Sequence, residues 1–107
     1  MRLPAASDEL NAAGVTLFAP SGKSEMHVRS FAPAHAIPED PVCGTGNLSV
    51  AAYLRHTGQL QRFGNRYAAR QGMQLGRDGR VSVRVDPDGV RIGGPSVTCI
   101  DGNLELK

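Results

Sequence analysis

The sequence predicts an α+β fold in which a curved, largely antiparallel sheet wraps around one central buried helix. Three observations support this prediction. Short segments rich in β-branched and aromatic residues recur between glycine and proline turns, a single segment is apolar on nearly every side, and a chain of 107 residues has room for one core. We therefore expect a single domain spanning residues 1–107.

The composition is that of an ordinary folded protein. Apolar residues make up 40% and charged residues 21%, and the net charge of +2 indicates no strong polyanionic partner. No apolar run is long enough to span a membrane, and the polar segment Ser7-Asp8-Glu9 does not resemble a signal peptide. We expect a cytoplasmic protein that does not bind membranes, with Cys43 and Cys99 as reduced thiols.

The first part of the chain predicts a short helix followed by two strands. Ser7 is a capping residue ahead of two acids, and Gly14 follows the segment, so we expect a helix over residues 7–13. Residues 15–19 and 26–31 are rich in β-branched and aromatic residues, which predicts two neighbouring strands.

A shaped loop and a buried helix come next. Residues 33–46 contain three prolines and two glycines, so neither a helix nor a long strand is expected there. Residues 47–56 are apolar on nearly every side and are followed by Gly58, a typical helix stop. This segment predicts the central helix.

The remainder of the chain predicts strands. Residues 86–89 form an expected turn, and Asp101-Gly102 is a favoured hairpin dipeptide that would join the last two strands. The predicted strands cover residues 66–70, 81–85, 90–92, 97–100 and 104–106.

The loop before the central helix carries the groups suited to chemistry. Asp40 could accept or shuttle a proton, and the partial positive charge of a helix N-terminus favours the thiolate of Cys43, which can take a proton from carbon. The same amides can hold a carboxylate, which Gly44 and Gly46 would let approach closely, beside the hydroxyl of Thr45. The simpler interpretation is a solvated Asp40, a structural Cys43 and a capping Thr45.

Several short motifs together resemble the C-terminal half of the phenazine-biosynthesis PhzF-like family. The resemblance extends over about three quarters of the chain. Its motifs are Ser30-Phe31-Ala32-Pro33, residues 37–46 from Ile37 to Gly46, Ala51-Ala52-Tyr53-Leu54, Gln71-Gly72 and Gly76-Arg77.

This resemblance implies one half of a diaminopimelate epimerase-like fold, in which two similar halves enclose the active site. It implies an isomerase that uses no metal and no organic cofactor and moves a proton between carbons of a small carboxylate. In the phenazine-forming member the substrate is a dihydro-hydroxyanthranilate. Asp40 matches an acid of that site, and Gly44 and Thr45 match substrate-contacting loop positions. Gln71 and Gly72 either line the cleft, as the resemblance suggests, or simply end a strand at a turn. His35, in the same loop as Asp40, is a further candidate for orienting that acid or touching substrate.

Cys43 departs from the phenazine enzyme, which carries threonine there. The run Cys43-Gly44-Thr45-Gly46 is instead similar to the second-half thiol loop of diaminopimelate epimerase and proline racemase relatives. An amino-acid epimerase or racemase that uses Cys43 as its proton-transfer thiol is therefore the nearer alternative.

The resemblance covers only a second half, so the glutamate base expected in the first half has no counterpart here. We expect either a missing N-terminal half or a homodimer to complete the cleft, and an isolated chain that is inactive. Two interpretations from other classes are a non-catalytic assembly module and a basic nucleic-acid-binding module. The latter rests on five arginines between positions 62 and 80 interleaved with Phe63 and Tyr67.

Overall fold

Six strands and one helix make up the regular structure in the computed structural model, which describes residues 11–107. The strands form one sheet and the helix packs on one of its faces. The elements are β1 Val15–Gly22, β2 Glu25–Ala32, β3 Ile37–Asp40, α1 Gly44–His56, β4 Arg66–Gln71, β5 Gly79–Asp86 and β6 Gly89–Gly93, with 3-10 turns at Pro33–His35, Leu60–Arg62 and Met73–Leu75.

The sheet is mixed, with the strand order β1-β2-β4-β5-β6 and with β3 paired to the end of β2. Four of the five pairings are antiparallel, and β2 and β4 run parallel from Glu25 opposite Ala68 to Val28 opposite Gln71. A parallel pair needs a crossover connection, and here α1 supplies it. The prediction of an α+β fold with a largely antiparallel sheet is confirmed.

The core lies between α1 and the inward face of the sheet. Alternate residues of β2, β4 and β5 point toward the helix, as the two-residue period of a strand requires, and Phe63 closes the core after the helix. The buried apolar residues are Met26, Val28, Val50, Ala51, Leu54, Phe63, Tyr67, Ala69, Val81, Val83 and Val85.

Helix α1 is buried on one side only, within residues 11–107. Its inward face carries Val50, Ala51 and Leu54, whereas Leu48 is 37% and Tyr53 51% exposed. The wrapping of the sheet around a central helix stays a prediction, because the described residues cover only one side of α1. The helix also begins at Gly44, three positions earlier than predicted.

The last part of the chain contradicts the predicted hairpin. Residues 94–107, the C-terminal arm, contain no helix or strand and do not pair with any described strand. Val97, Ile100, Leu104 and Leu106 are 86–90% exposed. Alternating apolar residues become a strand only where another strand supplies hydrogen bonds and a surface buries one face, and residues 11–107 offer the arm neither.

The predicted helix over residues 7–13 falls largely outside the described residues, and Asn11, with φ of 50°, is not helical. Within residues 11–107 there is no helix with the length and hydropathy needed to cross a bilayer.

Candidate active site

The helix entrance is built around the backbone and sulfur of Cys43. This residue precedes α1 in an extended conformation (φ −122°, ψ 110°), and its Sγ accepts a hydrogen bond from the Gly46 amide at 3.2 Å. The first intrahelical bond runs from the Asn47 amide to the Cys43 carbonyl at 3.1 Å. The sulfur therefore caps the helix and lies at its positive end.

Gln71 holds this loop in place from below. Its side chain is fully buried, its Oε1 accepts from the Cys43 amide at 3.3 Å and from Asn47 Nδ2 at 3.0 Å, and its Nε2 donates to the Asp40 carbonyl at 2.9 Å. Asn47 Nδ2 also donates to the Cys43 carbonyl at 2.8 Å. One side chain of β4 thus fixes both ends of the turn between β3 and α1.

The two neighbouring acids of the loop have different surroundings. Glu39 pairs with Arg29 through two hydrogen bonds, at 2.7 and 3.1 Å, and hydrogen bonding to this guanidinium lowers the pKa of Glu39. Asp40 accepts from the Val42 amide at 3.0 Å and lines a cavity beside the helix entrance. Successive strand residues point to opposite faces, so Asp40, and not Glu39, faces the cavity.

This cavity has a volume of about 250 Å³ and opens between β1, β2 and the first turn of α1. It is somewhat smaller than a typical small-molecule site of roughly 300 Å³ or more. Among the residues that line it are Thr16, Ser30, Asp40, Cys43, Thr45 and Gly46. The structure thus brings four of the predicted site residues together.

Four other predicted site residues do not line this cavity. His35 is exposed in the turn that follows β2, and Gly44 faces Ile92 on the other side of the helix. Gln71 acts from within the core, and Gly72 packs under the loop, where a Cβ would lie 2.5 Å from the Pro41 carbonyl oxygen. Their contact with a substrate stays a prediction.

Three hydroxyl residues of the cavity wall are not among the predicted site residues. Thr16 Oγ1 and Ser30 Oγ lie 3.0 Å apart, and Ser49 Oγ donates to the Thr45 carbonyl at 2.9 Å. Ser30 could have been found, because it shares the inward face of β2 with Met26 and Val28. A polar residue at an otherwise apolar inward position is a signal of function.

The lack of a side chain at Gly46 lets the first turn of α1 lie close to these hydroxyls. A Cβ at this position would lie 2.5 Å from Ser30 Oγ and 2.9 Å from Thr16 Oγ1. Any larger residue would push the first turn of α1 away from the sheet. Glycine therefore sets the depth of the cavity.

The model of one protein family, described as phenazine biosynthesis-like protein, matches residues 3–102. The chain belongs to this family. An uncharacterized isomerase of Deinococcus radiodurans is 38% identical over 93 residues, which cover 85% of this chain and 30% of that protein. The uncharacterized isomerase YddE of Escherichia coli is 42% identical over 83 residues, or 71% of this chain and 28% of that protein.

A third relative in the phenazine biosynthesis-like family carries a different kind of name. Antisense-enhancing sequence 1 of Schizosaccharomyces pombe is 36% identical over 94 residues, which cover 83% of this chain and 31% of that protein. The chain thus spans about 30% of the length of each of these three curated relatives.

The structure argues against the nucleic-acid-binding module and the non-catalytic assembly module. Phe63 and Tyr67 are buried in the core, so they cannot stack on nucleic-acid bases, and Arg70 and Arg80 both pair with Asp78. The outward face of the sheet carries Arg29 and other arginines, which is unlike an apolar docking face.

Within residues 11–107 no three His, Cys, Asp or Glu side chains form a group that could hold a metal ion.

Proposed function

We propose that this chain supplies one side of the active-site cleft of an isomerase that moves a proton between carbons of a small carboxylate. A single observation carries the proposal: Asp40, Cys43 and Thr45 share one cavity at the N-terminus of α1. The membership in a family whose relatives include proteins named isomerases supports it.

The helix entrance provides the binding half of this chemistry. Thr45 lines the cavity and its amide precedes the first intrahelical hydrogen bond, so this amide can donate to an anion there. The hydroxyls of Thr16 and Ser30 bond to each other, which leaves one hydroxyl proton of the pair free to donate into the same cavity. A carboxylate fits this set, because it accepts several hydrogen bonds and is attracted by the helix dipole.

Asp40 provides the proton-transfer half. The principal base of a first half would remove a proton from one carbon, and Asp40 would shuttle a proton to the other carbon, so that the reaction consumes no proton and changes no oxidation state. Its Oδ1 is oriented by the Val42 amide, and its backbone is held by Gln71. The principal base would come from a first half, so the isolated chain should bind substrate weakly and form no product.

Binding can be tested with two matched compounds on the purified chain. Anthranilate carries a carboxylate and aniline is the same ring without it, so amide shifts in nitrogen–proton NMR spectra report the contribution of the anion. We expect anthranilate to shift the amides of Thr45 and Gly46 with a dissociation constant in the millimolar range, of order 1 mM, and aniline to leave them unchanged.

A pair of threonine variants sharpens this experiment. Thr45→Ala removes a hydroxyl of the cavity wall and should weaken anthranilate binding by about three- to tenfold. Thr57→Ala removes a hydroxyl at the opposite end of α1, where it donates to the Tyr53 carbonyl, and should leave binding unchanged. Equal shifts with both compounds, or shifts confined to other residues, would refute the carboxylate site. Product formation by the pure monomer would refute the proposal that this chain supplies only one side of the active-site cleft.

The epimerase alternative rests on the Cys43 sulfur, which lines the same cavity from the helix cap. A single base facing one side of a carbon exchanges its proton with solvent without inverting it. In D₂O, chain incubated with L-proline would then incorporate deuterium at Cα with retained configuration. Loss of nearly all exchange in Cys43→Ser would favour the epimerase. Exchange that survives in Cys43→Ser and falls in Asp40→Asn would favour an Asp40-centred isomerase.

A further inference from the structure

Three arginines lie side by side on the outward face of the sheet, the face opposite to α1. Arg66 on β4 is directly opposite Arg84 on β5, and Arg84 is directly opposite Arg91 on β6. Directly opposed residues of neighbouring strands point to the same face of a sheet. These three residues therefore form one row across three strands, which we call the arginine row.

The positive charge of the arginine row is offset only in part by acids of the chain. Asp86 Oδ2 accepts from Arg84 Nε at 3.0 Å and from Arg91 Nη1 at 3.2 Å. The exposed Asp88 lies 4.0 Å from Arg91. Arg66 has no acidic partner among residues 11–107. Because like charges on directly opposed residues destabilise a sheet, an anion bound at the Arg66 end would stabilise this one.

A second pair of opposed arginines on the same face provides a comparison. Arg70 and Arg80 also face each other across β4 and β5, but Asp78 accepts from both, at 3.0 and 3.1 Å. Each arginine of that pair has an acidic partner within the chain, whereas the arginine row includes one that has none within residues 11–107. The comparison distinguishes Arg66 as the position where an external anion would bind.

A cavity of about 490 Å³ lies against the arginine row, compared with about 250 Å³ for the candidate cavity beside α1. Its volume is in the range of small-molecule sites, roughly 300–1,000 Å³. Ser82 and Gly93 line it beside the three arginines, and these two residues are directly opposite each other. A Cβ at Gly93 would meet no atom within 4 Å, so the space above it is open. The cavity therefore has room for more than a bare anion.

The width of the row favours a phosphate group over a carboxylate. Neighbouring strands are about 4.8 Å apart, so the backbones of Arg66 and Arg91 are separated by roughly 10 Å, with Arg84 between them. A carboxylate has one charge and two oxygens, which suit one guanidinium. A phosphate monoester carries a charge of about −1.5 to −2 and three strong acceptor oxygens, so it can bridge two guanidiniums from neighbouring strands.

The guanidinium of Arg84 is prepared for such a bridge. It uses only Nε toward Asp86, so its two Nη groups remain able to donate. The bond to Asp86 also restricts the orientation of the side chain before any ligand arrives, which lowers the entropy lost on binding.

We propose that the arginine row and the cavity beside it bind the phosphate group of a small phosphorylated molecule. The phosphate would bridge Arg66 and Arg84, and the rest of the molecule would lie over Ser82 and Gly93. This cavity shares no lining residue with the candidate cavity beside α1. The proposal therefore does not rest on the proposed isomerase chemistry.

Nitrogen–proton NMR spectra of the purified chain test this site with three compounds, in about 0.15 M salt to screen non-specific attraction. Phenyl phosphate carries a ring and a phosphate, inorganic phosphate carries the anion alone, and benzoate carries the ring with a carboxylate. We expect phenyl phosphate to shift the amides of Ser82 and Gly93 and the Nε–H signals of the arginine row, with a dissociation constant of order 1 mM. Inorganic phosphate should bind about tenfold more weakly, and benzoate should leave these signals unchanged.

Two arginine variants separate a specific site from the effect of net charge. Arg66→Gln removes the arginine without an acidic partner and should weaken phenyl phosphate binding by about tenfold or more, because hydrogen bonds to charged groups are strong. Arg55→Gln makes the same change of charge at an exposed position on α1 and should bind like the wild type. Circular dichroism checks that both variants retain the fold.

Four results would overturn the proposal. An absence of shifts at Ser82 and Gly93, or equal losses in the two variants, would show that the arginine row is not a site. Equal affinities for benzoate and phenyl phosphate would show no preference for phosphate, and equal affinities for inorganic and phenyl phosphate would assign the site to the free anion. Since a helix N-terminus also attracts phosphate, shifts confined to Thr45 and Gly46 would place the ligand at the entrance of α1 and count as the first of these results.

Discussion

The loop that enters α1 and the C-terminal arm are both irregular segments, yet they differ in how their groups are satisfied. In the loop, the backbone groups of Asp40 and Cys43 and the side chain of Asn47 all bond to Gln71. In the arm, Val97, Ile100 and Leu104 pack against nothing described and remain 86–90% exposed. The local sequence predicts an ordered structure for both segments. Whether that structure adds to the stability of the fold depends on the residues that each segment packs against.

Substitution of one glycine that packs under the loop and one glycine of the arm should give the largest contrast. Gly72 has φ of 87°, and a Cβ there would lie 2.5 Å from the Pro41 carbonyl oxygen under the loop. Gly72→Ala therefore combines left-handed strain with a backbone clash and should lower the free energy of unfolding by about 3–4 kcal/mol. Urea denaturation followed by circular dichroism measures this change.

Gly102→Ala is the matched control for this experiment. A Cβ at Gly102 meets no atom within 4 Å, so the variant should change stability by no more than about 0.5 kcal/mol. Similar effects at both positions would show that the arm is packed as firmly as the loop.

Gln71→Leu should give the second largest effect. The leucine keeps much of the buried volume but leaves the Cys43 amide, Asn47 Nδ2 and the Asp40 carbonyl without their partner. Buried groups left unpaired cost about 1–3 kcal/mol, so we expect a loss of roughly 2–3 kcal/mol in the urea experiment. Gln74→Leu, at an exposed glutamine bonded to His27, is the control and should have little effect.

The smallest effect concerns acid stability. Because hydrogen bonds from Arg29 lower the pKa of Glu39 in the folded chain below its usual 4.5, Glu39 contributes stability above that value. This contribution is lost as pH falls through the lowered pKa. The melting temperature of the wild type should therefore drop more steeply below about pH 4.5 than that of Glu39→Gln.

Asp78 also contributes stability that is lost at acid pH. Its pKa is also lowered, by hydrogen bonds from Arg70 and Arg80, so Glu39→Gln should reduce the acid dependence without abolishing it. Parallel melting curves for the two proteins between neutral and acid pH would show instead that the Arg29 pair contributes nothing measurable.

Much of the sheet could be predicted because its patterns are local. The strands expected at residues 15–19, 26–31, 66–70, 81–85 and 90–92 are all present, each longer than predicted by one to three residues. The hairpin predicted over residues 97–106 is absent because its formation depends on more than a local pattern. Its sequence has the alternation and the turn of a hairpin, but stability requires a neighbouring surface that sequence alone does not report.

The site was predictable in part, for similar reasons. Asp40, Cys43, Thr45 and Gly46 lie close in sequence around a helix start, so their meeting at one cavity followed from local geometry. Thr16 and Ser30 come from strands distant in the chain and reach the cavity only through the sheet register. The role of Gln71 beneath the loop likewise depends on the pairing of β4 with β2, which no local pattern encodes.

The parallel pairing of β2 with β4 also bears on the order in which the chain assembles. Antiparallel neighbours such as β4 and β5 can form early, because a short turn joins them. The partners Glu25 and Ala68 meet only after the intervening chain has closed into a long loop, which carries a higher entropic cost. Folding of this protein should therefore be limited by the docking of α1 across β2, with the helix as the scaffold on which the two halves of the sheet join.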